Sequence, residues 1–212
     1  AGLVGAVAVA SARPELEAFG PCVRRGRHTG RLALTVDDGP HPVSTPAFLA
    51  ALAAEQAHAT FFVLANRVKA HPGLFREVLA AGHEIGLHGM SHHPWYTVWG
   101  PERGAAELRA ACRVLEEHGA PPIRWFRPPF GAVSPRVYAA AAAAGLEVAW
   151  CSIRTGDGGW ISPATLLGRC ARAVATDVVL VHDGTDTWKH LPDALRDWDA
   201  RGIRASALGE CL

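Results

Sequence analysis

The sequence lacks most of the features that would assign a chain of this length at a glance. Charge is nearly balanced, with 21 Lys and Arg against 20 Asp and Glu and a net charge of +1. No basic stripe or patch therefore argues for nucleic acid. The five cysteines, Cys22, Cys112, Cys151, Cys170 and Cys211, show no CxxC spacing, which excludes a Cys-rich zinc site, and their odd number leaves at least one free thiol. Cys112 is expected on a helix and Cys151 in a strand, both buried as small apolar residues. There is no internal repeat and no Ser/Gly linker. The apolar opening Ala1–Ala10 is too short to span a bilayer. It lacks an initiator Met and reads either as the remnant of a signal peptide or membrane anchor, or as a buried terminal segment. Residues 1–28 are accordingly set apart as an N-terminal segment, and 29–212 are taken as one domain.

What is present fits one globular α/β domain with a sizeable core: 212 residues, 49% hydrophobic and 19% charged. Eleven histidines and seven tryptophans exceed the usual share. The histidines suggest metal or proton-transfer chemistry. The tryptophans Trp95, Trp99, Trp160 and Trp188 are either flat platforms for sugar rings or packing.

A βα alternation runs nearly from end to end. Strands are expected at Leu32–Val36, Ala59–Leu64, His83–Leu87, Ile123–Phe126, Leu146–Cys151, Val178–Val181 and near Ile203. Between them lie six helices, several announced by Pro in the first turn: Thr45-Pro46, Pro72, Pro101, Ser134-Pro135, Ser162-Pro163 and Pro192. Parallel strands need helical crossovers that cover them, so the pattern predicts one α/β barrel-like domain of about seven parallel strands.

Chemistry-bearing residues cluster where those strands end. Leu32–Val36 runs into Asp37-Asp38, and Gly39-Pro40 forces a turn. Adjacent carboxylates repel unless a cation or a shared proton relieves them. His88 and His92 lie four apart, and with Asp38 they make a set suited to zinc with an open position. His83 and His93 compete for that role. Arg127 ends a strand amid prolines and is read either as a clamp on a carboxylate or as a surface ion pair. His182 follows four apolar residues and is either a proton-transfer group or a structural histidine bonded to Asp183.

Four segments in this order carry a resemblance. Thr35-Val36-Asp37-Asp38-Gly39-Pro40, Gly82 to His92, Phe126-Arg127-Pro128-Pro129-Phe130-Gly131 and Leu180-Val181-His182-Asp183 resemble the motifs of the polysaccharide deacetylases, carbohydrate esterase family 4. The similarity runs from about Leu32 to Arg204. It implies a distorted (β/α) barrel, a divalent metal (zinc first, with cobalt, nickel or manganese as alternatives) and hydrolysis of an acetyl group. It also implies Asp37 as general base, Asp38, His88 and His92 as metal ligands, and Arg127 as the residue holding Asp37. The Phe130 N–H would bind the oxyanion, Leu180 would wall the acetyl pocket, and His182 would be the general acid. Two departures stand out. Val36 replaces the family's usual aromatic, and the Asp-Trp pair after the fifth strand is blurred. There Trp150, counted among the substrate contacts, precedes Asp157-Gly158-Gly159-Trp160, and Asp157 is the candidate partner of His182.

The resemblance therefore implies an enzyme acting on an acetylated glycan, peptidoglycan or chitin-like, at the cell envelope or outside the cell. No nucleic acid or protein partner is expected, and the chain is read as a monomer. An O-acetyl esterase on xylan and a catalytically silent glycan-binding module on the same fold are the competing expectations.

Overall fold

The computed structural model describes residue 11 and residues 13–212. The run Ala1–Ala10 lies outside them, and so does the expectation placed on it. No helix of the described residues is long and apolar enough to cross a membrane.

The domain is built on a parallel sheet whose centre is β1 (Arg31–Asp37). Every residue of β1 after Arg31 is buried, as expected of a strand covered on both faces. The other strands are β2 (Thr60–Val63), β3 (Glu84–Leu87), β4 (Trp125–Phe126), β5 (Glu147–Val148), β6 (Ile153–Arg154), β7 (Val178–His182) and β8 (Arg204–Ser206). They lie in the order β5-β4-β3-β2-β1-β7-β6, and β8 pairs with the first three residues of β1. Helices α1 (Ser44–Ala54), α2 (Ala65–Ala70), α3 (Pro72–Ala80), α4 (Pro101–Glu117), α5 (Pro135–Ala143), α6 (Pro163–Cys170) and α7 (Leu191–Ala200) form the crossovers. Two are capped as their sequences suggest: Ser134 Oγ accepts from Val137 N, and Ser162 Oγ from Thr165 N.

The sheet must curl. β5 and β6 are its opposite edges, yet only residues 149–152 separate them in sequence. Flat, the six strand spacings between them would span roughly 29 Å. The five residue steps from Val148 to Ile153 reach about 18 Å at most. Curling into a partly open barrel is the only way to join them, which is the distorted (β/α) barrel expected.

Three details differ from the sequence reading. The run Leu146–Cys151 is not one strand: β5 ends at Val148, and a separate two-residue β6 pairs with β7. Cys151 therefore sits buried in the connection rather than in a strand, and Cys112 on α4 is only half-buried. A seventh helix, α2, occupies Ala65–Ala70.

Candidate active site

Strand register assembles the site. Asp37, the last residue of β1, is paired with His182, the last of β7. On the other flank β2 leads to β3, and Leu87 pairs with Phe126, so His88 and Arg127 leave adjacent strands side by side. Asp37, Asp38, His88, Arg127 and His182 thus share the C-terminal rim, where βα folds gather their functional loops.

Asp37 and Arg127 form a buried pair. Arg127 is fully buried, and its Nη1 donates to Asp37 Oδ1 (2.7 Å) and Thr35 Oγ1 (2.8 Å). Thr35 and Asp37 are two apart on β1 and so present the same face to it. Nη2 donates to the Trp150 carbonyl (3.1 Å), and the guanidinium stacks over Phe62 at 4.1 Å. The surface ion pair is thereby excluded for Arg127. Burial pushes the Asp37 carboxyl above its ordinary range, while Arg127 and then His182 pull it down.

Asp38 turns away from β1 with a left-handed backbone, φ 73°. Its N–H donates to the Phe62 carbonyl (3.1 Å), and its own carbonyl accepts from Arg67 Nη1 (2.7 Å). His88 Nε2 lies 3.5 Å and His92 Nε2 3.8 Å from Asp38 Oδ1. The ligand atoms of the three residues all fall within 4.8 Å of one another, the one such cluster among the described residues. His83 and His93 are not in it. His83 lies just before β3, buried against Phe61 at the far end of the strand.

The donor set fits a divalent cation. Asp38 Oδ1 is buried without a hydrogen-bond partner, a costly state for a carboxylate oxygen unless a cation meets it. His88 Nδ1 sits 2.7 Å from the Arg127 carbonyl, which fixes the proton on Nδ1 and leaves the Nε2 lone pair facing Asp38. Burial drops His88 to about 3 despite the pull of Asp38, so the imidazole is neutral.

On the opposite side His182 Nδ1 meets Asp157 Oδ1 at 2.7 Å. Asp157 is held in turn by Thr155 Oγ1 (2.7 Å), Thr187 Oγ1 (2.7 Å) and the His182 N–H (2.8 Å). Burial alone would lower the His182 pKa. The hydrogen bond and charge of Asp157, with Asp37 and Asp38 behind it, outweigh burial and raise it. For Asp157 burial pulls upward, and the bonds from His182 and Thr187 more than reverse that. Asp183 is not the partner: its carboxylate accepts from Ser44 Oγ, Thr45 Oγ1 and the Gly184 N–H. Gly158 leaves room for the imidazole, since a Cβ there would come within 3.2 Å of it.

Asp37, Asp38, His88, His92 and His182 line one cavity of about 360 Å³ together with Phe130, Trp150, Arg154, Leu180 and the glycines Gly156, Gly158 and Gly159. Leu180 and Trp150 are buried in its wall, whereas Phe130 is 57% exposed, left-handed (φ 58°) and edge-on to His92 at 4.0 Å. Trp160 projects fully into solvent, Trp99 stacks with Arg103, and Trp188 packs partly against the core. Of Trp95 only the backbone is described. Sequence reasoning missed Thr35, Thr155, Thr187 and Arg67, ordinary residues whose roles depend on which strand ends and loops the fold brings together.

The profile of the polysaccharide deacetylase family matches residues 24–149, more than half of the chain. A peptidoglycan-N-acetylglucosamine deacetylase of Bacillus cereus is 31% identical over 85% of this chain and 87% of its own length. A chitooligosaccharide deacetylase of Sinorhizobium fredii is 34% identical over 84% of this chain and 80% of its own. Among solved structures, a family 4 carbohydrate esterase from Streptomyces lividans in complex with acetate superposes with a TM-score of 0.79 (25% identity; 83% of this chain, 91% of that one). A CE4 family pseudoenzyme from Bacillus anthracis reaches 0.84 (23% identity; 90% and 68%). The fold alone is thus shared by a protein called a pseudoenzyme. On sequence and fold together, the chain belongs to the polysaccharide deacetylase family.

Proposed function

We propose that this chain hydrolyses N-acetyl groups of N-acetylhexosamine units in a peptidoglycan or chitin-like glycan, at the cell envelope or outside the cell. The observation that carries this reading is one cavity lined by Asp37, which is paired with buried Arg127, by His182, which is paired with Asp157, and by the Asp38, His88, His92 cluster. Such a division supplies a base and an acid at separate positions around one reacting centre.

Asp38, His88 and His92 would hold the divalent ion, for which we take zinc because the donors are two imidazoles and a carboxylate. When bound, the ion polarises the acetyl carbonyl and acidifies a water molecule. Asp37 accepts the proton of the attacking water, its carboxylate aimed by Arg127. The Phe130 N–H donates to the oxygen that gains negative charge, a dipole fixed in advance. Leu180 and Trp150 shelter the methyl group. His182, kept protonated by Asp157, delivers a proton to the departing nitrogen. An amine leaves poorly without that proton, so a raised imidazole pKa suits an amide better than an ester.

Acetate release is the test, measured side by side on N-acetylated chitooligosaccharides, peptidoglycan and O-acetylated xylan. Release from the N-acetylated glycans supports the reading. Release from xylan alone would replace it with the esterase, and glycan binding without release would replace it with a silent module.

A further inference from the structure

The loops that carry Asp38, after β1, and His88 and His92, after β3, are both fastened to one stretch of chain: the end of β2, which lies between those strands, and the first turn of α2. The Phe62 and Val63 carbonyls accept from the N–H groups of Asp38 (3.1 Å) and His88 (2.8 Å). Where the chain turns into α2, its own N–H groups take over. Leu64 donates to the Gly39 carbonyl (3.0 Å), Ala65 to that of Gly89 (3.0 Å) and Asn66 to that of Met90 (2.9 Å). Arg67 closes the series with Nη1 on the Asp38 carbonyl (2.7 Å). Each residue from Phe62 to Arg67 thus holds one of the two loops.

All but the last of these bonds are made by backbone on both sides, so any sequence that follows this path makes them. Arg67 supplies the side chain of the series, and it grips the residue that most needs holding. Asp38 is left-handed (φ 73°), a conformation that a non-glycine residue keeps where its surroundings impose it. That backbone sets where the carboxylate points relative to His88 and His92. A guanidinium near a cation site repels the ion, so any gain that Arg67 brings to metal binding comes through geometry. We propose that Arg67 is a positioning residue for the metal: it fixes Asp38 in the ligating conformation before the ion arrives, and its loss weakens metal binding although a positive charge is removed. The inference rests on the reading of Asp38, His88 and His92 as a divalent-metal site.

The experiment compares the wild type, Arg67→Met and Arg67→Lys by three measurements. These are the Kd of Zn²⁺ in competition with a chromophoric chelator, the visible absorption of the Co²⁺-loaded protein, and the melting temperature of the metal-free protein. Arg67→Met should raise the Kd by about ten- to a hundredfold, the range for partners that orient metal ligands, and alter the Co²⁺ spectrum. Arg67→Lys keeps a donor and should recover part of both. An unchanged Kd in Arg67→Met with a lower melting temperature assigns the residue to folding alone and overturns the proposal. A lower Kd also overturns it, because charge repulsion then outweighs geometry. If the methionine protein does not fold, Arg67→Gln, whose amide stops short of the position of Nη1, carries the same comparison. Wild-type protein that binds neither ion overturns the metal-site reading itself, and the positioning role with it.

Discussion

Asp37 and Asp38 are adjacent in sequence but belong to different environments. Asp37 is fully paired with Arg127, while Asp38 keeps a buried oxygen with no partner. Their isosteric variants should therefore fail differently. Asp38→Asn removes the anionic donor and should lower metal content together with turnover. Asp37→Asn should retain the metal and the fold and lose about 10²–10⁴ in rate, the usual contribution of a general base. Metal analysis and acetate release on both proteins check this, and loss of metal from the Asp37 variant instead would exchange the two roles. His182 gives a second prediction at the same scale. Asp157 raises its pKa, which extends the protonated form toward higher pH. Asp157→Asn removes that support, so the alkaline limb of the kcat/KM profile should move to lower pH. An unmoved limb would mean that Asp157 does not tune the acid.

At the scale of elements, the connections matter more than the strands. Gly131 follows β4 in a left-handed conformation (φ 65°), and a Cβ there would lie 2.2 Å from the Trp150 ring. This contact locks the loop carrying Phe130 against the segment that crosses from β5 to β6. Gly131→Ala should cost about 1–3 kcal/mol of stability, through the strained φ and the overpacking together. Because it also displaces the cavity wall, kcat/KM should fall in protein that is still folded; denaturant titration and acetate release report the two effects separately. The same connections explain what was legible in the sequence. β1, β7 and α4 announce themselves by apolar period and punctuation, and Asp37, Asp38, His88, His92, Arg127 and His182 are visible because they terminate such elements. β6 is too short to show a period, and it exists only because β7 offers it an edge. α2 has six residues and no side-chain cap. Thr35 is a buried hydroxyl that bonds across the sheet, Thr155 and Thr187 are buried hydroxyls that hold Asp157 from the rim loops, and nothing local distinguishes them from other threonines.

Across the whole molecule, chemistry and cohesion occupy opposite ends of the barrel. The rim where β1, β3, β4 and β7 end holds the charged groups that face the cavity. At the other end Glu84, the first residue of β3, gathers three elements: Thr60 Oγ1 (2.6 Å) from β2, Trp125 Nε1 (2.9 Å) from β4, and the Gly209 N–H (3.0 Å) from the turn after β8. Thr60 Oγ1 accepts in turn from the Leu208 N–H (2.7 Å), so the C-terminal turn is tied to β2 and β3 together. Trp125 is fully buried, and without Glu84 its indole N–H would lose this acceptor. Hydrogen bonds to a charged acceptor contribute more than neutral ones, but Glu84 is only half-buried, which limits the total. Glu84→Ala should lower stability by about 1–3 kcal/mol, the ordinary range for a destabilising substitution that breaks hydrogen bonds. Since β3 carries His88 at its far end, the decisive measurement is made below the melting transition, where the sheet is intact. There kcat/KM per folded molecule and metal content should stay at the wild-type level. Loss of either at full folding would mean that the two ends are coupled through β3 and that His88 depends on how Glu84 anchors the strand.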